Sequence, residues 1–220
     1  MNVSEALRAR HSVRSFRPDP VAEDVLREIF SDAQRAPSWC NIQPWRVAVT
    51  SGAATVKLTS ALTEAARSSS PSPDFAWPGV YPEPYDAHRR ACGAALYTAM
   101  GVARGDAAGR LDAWMRNYAA FGAPHVAIVS IDRRLGPYAM LDVGCWLQSL
   151  LLSAWERGVA CCPQASLSAH PDAIRAMLSI PESDGILFGI SIGYEDGAAP
   201  ANACRTERAT LDANVRFLST

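Results

Sequence analysis

Apolar residues recur along the chain with two periods, and their alternation divides it into helices and short strands. A short first helix carries Leu7 after Ser4 and Glu5 and stops near His11. Asp19-Pro20 breaks the chain, after which Val25, Leu26, Ile29 and Phe30 mark a helix over 21–34 with one face turned inward. Residues 46–50 read as a strand closed by Ser51-Gly52, and Val56, Leu58, Leu62 and Ala65 set a helix over 53–66. Two further helices fall at 87–101 and 107–118, a β-branched strand at 125–131, a largely apolar helix at 138–157 and a short strand at 159–162. A helix over 171–178 and an apolar strand over 185–194 complete the pattern.

Nothing in this order separates two cores, so the chain reads as one α+β domain over 1–220, with few strands and many helices. Residues 67–85 stand apart: Ser and Pro give way to Phe75, Trp77, Tyr81 and Tyr85 among further prolines, which predicts a long loop or a lid. The apolar stretch from Tyr138 to Trp155 is interrupted by Asp142, Gln148, Ser149 and Ser153, and so predicts a buried helix and not a membrane span. A domain of this size can hardly cover such a helix on every side. A second copy of the chain would, and a homodimer with this helix near the interface is the expectation.

Composition narrows the classes of partner. The chain has 220 residues and a formal net charge of -1, which argues against a nucleic-acid partner held by a general basic excess. Lys57 is the only lysine and lies on a polar helix face, which leaves lysine-based covalent chemistry little support. The six cysteines include no C-x-x-C pair, and the opening residues show no basic-then-apolar leader, so free thiols, a cytoplasmic setting and no metal site are expected.

Two motifs invite a chemical reading. Gly189-Ile190-Ser191-Ile192-Gly193 matches the G-x-S-x-G of serine hydrolases, yet its flanks read as uninterrupted strand with no helix to follow, and all four histidines precede the serine. A hydrolase is therefore disfavoured. Arg10-His11-Ser12-Val13-Arg14 gathers two guanidinium groups, an imidazole and a hydroxyl into five residues, a donor set suited to phosphate oxygens. Arg205-Thr206-Glu207-Arg208 forms a second basic cluster near the other end, and no glycine-rich phosphate loop is present to compete with them.

Taken with Ala36-Pro37-Ser38, Asn41 and Gln43-Pro44-Trp45, and with Gly189 to Tyr194 ahead of Arg205 to Arg208, these residues resemble the FMN-dependent nitroreductase family over nearly the whole chain. The middle, with Tyr81-Pro82-Glu83-Pro84-Tyr85, Phe121-Gly122-Ala123-Pro124 and Asp132-Arg133, resembles the branch that includes nitrobenzoate reductases. The resemblance implies a small mixed or antiparallel central sheet flanked by helices in an intertwined homodimer. It implies that Arg10, Ser12, Arg205 and Arg208 hold the FMN phosphate, with His11 contributing through backbone or ring, and that Arg14 lies nearer the flavin pyrimidine. Pro37, Ser38, Trp39 and Asn41 would reach the same FMN from the partner subunit, and the turn of Pro163, Gln164, Ala165 and Ser166 would run along the flavin ring. Trp39 departs from the family pattern, in which a small residue is usual, and either narrows the pocket or packs in the interface; Ala165-Ser166 departs too, from an acidic-glycine pair.

The activity so implied is a ping-pong oxidoreductase in which NADH or NADPH gives hydride to FMN and an electron-poor aromatic, such as a nitrobenzoate, then receives it. No catalytic side chain is named, because the flavin carries the chemistry. Trp39, Trp77, Tyr81 and Phe121 are candidate pocket walls, and dehalogenation, alkene reduction, flavin fragmentation and flavin binding without turnover stay open on the same scaffold.

Overall fold

The computed structural model describes residues 2–219; Met1 and Thr220, the ends of the stretch read as one domain, lie outside it. Helix α1 (Val3–Ala9) opens with a reciprocal cap, Asn2 accepting from the Glu5 N–H while Glu5 takes the Asn2 N–H, and it ends because Arg10 is extended. Helix α2 (Glu23–Ala33) buries Leu26, Ile29 and Ala33. Strand β1 (Arg46–Ser51) turns through Gly52, at φ 55°, into α3 (Ala53–Ser68). There Thr55, Leu58 and Leu62 are the buried positions, whereas Val56 faces outward.

Helices α4 (Tyr85–Ala99) and α5 (Ala107–Met115) follow, neither with a fully buried residue. Beyond them come β2 (His125–Asp132), α6 (Pro137–Glu156), β3 (Ala160–Gln164), α7 (Pro171–Leu178), β4 (Asp184–Gly193) and a short α8 (Leu211–Asn214). The four strands form one antiparallel sheet in the order β1-β2-β4-β3. Alternation along β2 explains the two cores: Ala127, Val129 and Ile131 pack with α2 and α6, while Val126 and Ile128 pack with α3 and α7. With both faces covered, β2 reads as a continuous apolar run.

Several boundaries move from the sequence expectation. Residues 67 and 68 complete α3 and Tyr85 opens α4, so the irregular stretch is 69–84. Its first half is anchored: Asp74 accepts from Arg175 at 2.7 Å and from the Ile186 N–H at 2.8 Å, and Phe75 packs where a side chain on Gly185 would collide with its ring at 2.4 Å. Pro163 and Gln164 belong to strand β3 and not to a turn. A proline is accommodated there because β3 lies at the sheet edge and needs ladder partners only from β4. The turn proper is Ala165–Ser168.

Helix α6 is covered on most sides but not all. Trp146 is fully buried, with Trp45 stacked at 6.4 Å and Phe30 at 6.2 Å. Leu141 and Gly144 are exposed, and Cys145, Gln148 and Leu152 are half-buried. At helical spacing these residues form a single uncovered stripe along the helix.

Candidate functional site

After α1 the chain runs extended beside the sheet edge. The Val13 N–H donates to the Cys161 carbonyl at 3.2 Å and the Arg17 N–H to the Tyr194 carbonyl at 2.9 Å, which lays residues 12–17 across β3 and the end of β4. Arg10, His11 and Ser12 then line one cleft with Leu151 and Trp155 of α6 and with Cys161 and Pro163 of β3. The Arg10 Nε is buried and has no hydrogen-bond partner among the described residues. A buried guanidinium nitrogen without an acceptor fits a bound anion.

His11 is held more firmly than its sequence position indicates. Its Nε2 lies 3.0 Å from Glu195 Oε1, its Nδ1 3.2 Å from the Ala9 carbonyl, and its ring meets Trp155 edge-on at 5.1 Å. Both nitrogens are thus engaged by the protein, which leaves the backbone as the part of His11 open to a ligand. Neither Glu195 nor Trp155 was singled out by the sequence. Glu195 follows a strand without any spacing signal, and Trp155 reads as one more apolar position of α6.

Arg14 sits at a crossing of three segments. Its N–H donates to Asn202 Oδ1 at 2.7 Å, its carbonyl accepts from Arg116 Nη2 at 3.0 Å, and its own guanidinium donates to the Ser12 carbonyl at 3.3 Å. Burial pushes the Cys162 thiol up to about 11, against the opposing influence of Arg14 and Ser12, and burial raises Cys161 further. These two cysteines stay protonated and are poor nucleophiles.

The C-terminal cluster is brought near only in part. Asn202 ties residues 200–204 to Arg14, but Arg205 folds back onto the carbonyls of Asn202 at 2.5 Å and Cys204 at 3.1 Å. Arg208 donates to Thr206 and Glu207 and is exposed, and neither arginine lines the cleft of Arg10. Within one chain Arg205 and Arg208 therefore stand apart from the Arg10 cleft, and Asn202 links Arg205 only to Arg14. Residues 205–219 are exposed, and the hydrogen bonds of Arg205 and Arg208 go to neighbouring residues in sequence.

Pro37, Ser38, Trp39 and Asn41 form a second group at the other end of α6. Ser38 Oγ accepts the Gln43 N–H at 3.0 Å, the Trp39 N–H donates to Asp142 Oδ1 at 3.0 Å, and the Trp39 ring meets Tyr138 at 4.8 Å. Cys40, Asn41 and Gln43 all adopt positive φ, which bends this short segment outward. Trp39 is 59% exposed and Tyr138 63%. Asp142 to Trp155 is 13 residues of helix, so this group lies about 20 Å from the Arg10 cleft at 1.5 Å per residue.

Gln164 points inward, where Nε2 donates to the Asn117 carbonyl at 3.0 Å and Oε1 accepts from Ser191. Pro163 lines the cleft, and Ala165 is exposed at the start of the turn. Ser191 is fully buried within β4 with Gln164 as its partner, so it is no nucleophile. His125 pairs elsewhere, its Nε2 accepting the Val21 N–H at 2.9 Å and its Nδ1 facing Ser51 Oγ at 2.7 Å. Among the described residues no cluster of metal-ligating side chains occurs, and no helix is long and apolar enough to cross a membrane.

Comparison with known proteins agrees on one family. The sequence model of the "Nitroreductase family" matches residues 7–194. The chain is 38% identical to Nitroreductase NfnB of Mycolicibacterium smegmatis over 213 residues, covering 96% of this chain and 90% of that protein. It is 37% identical to a 4-nitrobenzoate reductase of Nocardioides sp. over 223 residues, covering 96% and 88%. Its fold superposes with a TM-score of 0.95, at 36% identity and over 98% and 97% of the two chains, on the crystal structure of the FMN-dependent nitroreductase NfnB from Mycobacterium smegmatis in complex with NADPH.

Proposed function

We propose that this chain, which belongs to the nitroreductase family, is an FMN-dependent, NADPH-using reductase of nitroaromatic compounds that works as a homodimer in the reducing cytoplasm. Bound FMN supplies a ring nitrogen that accepts hydride from the nicotinamide and returns it to the acceptor. The observation that carries the reading is the buried, unpartnered Nε of Arg10 in a cleft shared with His11, Ser12, Trp155 and Pro163. Arg10 and Ser12 would hold the phosphate, with the His11 backbone between them, and Arg205 and Arg208 would swing in from the surface to complete the cradle. Arg14, fixed at its backbone by Asn202 and Arg116, would hold a positive charge near the flavin pyrimidine.

The uncovered stripe of α6 supports the dimer. An antiparallel meeting of two such helices across a twofold axis buries Leu141, Gly144, Gln148 and Leu152 against their copies. It also brings Trp39 and Asn41 of one chain, beside the N-terminal end of α6, to the Arg10 cleft of the other, beside the C-terminal end. Pro37 and Ser38 arrive with them, which accounts for two half-sites about 20 Å apart on a single chain. Residues 163–165 would then run along the flavin ring, with the Ala165 N–H towards its reacting nitrogen.

The 4-nitrobenzoate reductase relative and the NADPH complex of the NfnB structure support the choice of acceptor class and of donor. Nicotinamide and acceptor would occupy one face of the ring in turn, so initial rates at several fixed concentrations of 4-nitrobenzoate should give parallel double-reciprocal lines against NADPH. Intersecting lines would refute the alternation, and no nitro-dependent NADPH oxidation would refute the activity.

A further inference from the structure

The G-x-S-x-G stretch, which is no hydrolase elbow, has an arrangement of its own. Gly189, Ser191 and Gly193 alternate onto the same face of β4. A side chain on Gly189 would lie 2.7 Å from Leu167 of the Ala165–Ser168 turn, and one on Gly193 would lie 2.7 Å from Pro124 and 3.1 Å from Phe16, at the end of the basic segment. Both glycines are therefore sockets for the segments of the site. Between them the Ser191 hydroxyl donates to Gln164 Oε1, and Gln164 Nε2 donates to the Asn117 carbonyl at 3.0 Å and to its Oδ1 at 3.3 Å. Ser166 Oγ donates to the same Oδ1 at 3.3 Å, and Asn117 Nδ2 donates to the Trp114 carbonyl at 2.9 Å.

We propose that Ser191 and Asn117 are positioning residues: through Gln164 they fix the height and register of the turn that faces the reacting edge of the flavin. The proposal rests on the reading above that residues 163–165 run along the ring. A buried amide satisfied at both ends has one stable placement, and the backbone that carries it inherits that placement. Hydride transfer is sensitive to displacement on the ångström scale, so a strut 27 residues away in sequence sets the rate without touching the cofactor. The phosphate end, built on Arg10 to Ser12, does not depend on this strut.

The test compares the wild-type holoenzyme with Ser191→Ala and Asn117→Ala. FMN titration of the wild type comes first, because failure to bind there overturns the flavin reading itself and not this inference. In the variants FMN affinity should stay within about twofold of wild type, as expected for a remote site. The visible circular dichroism of bound FMN and its midpoint potential should both shift, and anaerobic single-turnover reduction by NADPH should slow by roughly tenfold. Unchanged dichroism and potential overturn the proposal, whether affinity holds or falls with fold stability. Should Ser191→Ala not fold, the half-buried Asn117 gives the same reading from the other end of Gln164.

Discussion

Asn202 fastens the C-terminal segment to Arg14: its Oδ1 accepts the Arg14 N–H at 2.7 Å, and its Nδ2 donates to the carbonyls of Ser15 at 2.8 Å and Asp196 at 2.9 Å. One buried amide thus joins the basic motif near the start of the chain to the segment that leads into Arg205. Asn202→Ala leaves the Arg14 N–H without an acceptor, at a cost of about 1–3 kcal/mol. Urea unfolding should show that loss of stability, accompanied by weaker FMN retention. Unchanged stability would mean that water replaces the amide.

Arg10 bears on the phosphate most directly. Arg10→Ala should weaken FMN binding by about 1.5–3 kcal/mol, the range of a charge-assisted hydrogen bond, and Arg208→Ala should do so within the same range. Fluorescence titration reads both. Full affinity in Arg208→Ala would remove that residue from the cradle and leave Arg10 in place.

Leu141 tests the assembly. It is 62% exposed on the α6 stripe, so Leu141→Arg should fold as the wild type does by far-ultraviolet circular dichroism. In sedimentation velocity the wild type should run as a dimer and the variant as a monomer, and the monomer should lose FMN because its second half-site is gone. A dimeric variant that keeps FMN places the interface elsewhere.

His125 gives the fold a pH dependence of known sign. Burial holds its imidazole below the ordinary histidine value of about 6.5, and Nε2 is committed as an acceptor to the Val21 N–H. Below that value the unfolded chain takes up a proton that the native ring refuses, so stability is full above pH 6.5 and falls as pH drops until the native ring protonates as well. His170, shifted the same way by burial, adds to the slope. Denaturation midpoints at pH 7.5 and 5.5 should differ less in His125→Gln than in the wild type; an equal difference would clear His125 of the effect.

The sheet and the long helices were legible because their apolar periods are strong: β2, β4 and α6 lie within about two residues of the expected bounds. Of the basic motif, Arg10, His11 and Ser12 line one cleft, whereas Arg14 does not. What escaped was set by tertiary contacts. Glu195 and Asn202 act through partners some 184 and 188 residues away, and Gln164 and Ser191 meet only once β3 lies beside β4. The strand character of Pro163 depends on β3 being an edge strand, which no local pattern states. The separation of Trp39 from Arg10 along α6 is likewise a property of the folded chain.

Titration of the apoprotein with FMN, followed by flavin fluorescence while the mass in solution is read by sedimentation, tests the central claim most directly. The expected result is one FMN per chain on a dimeric particle. A folded protein that binds no FMN, or that binds it equally well as a monomer, would contradict the account.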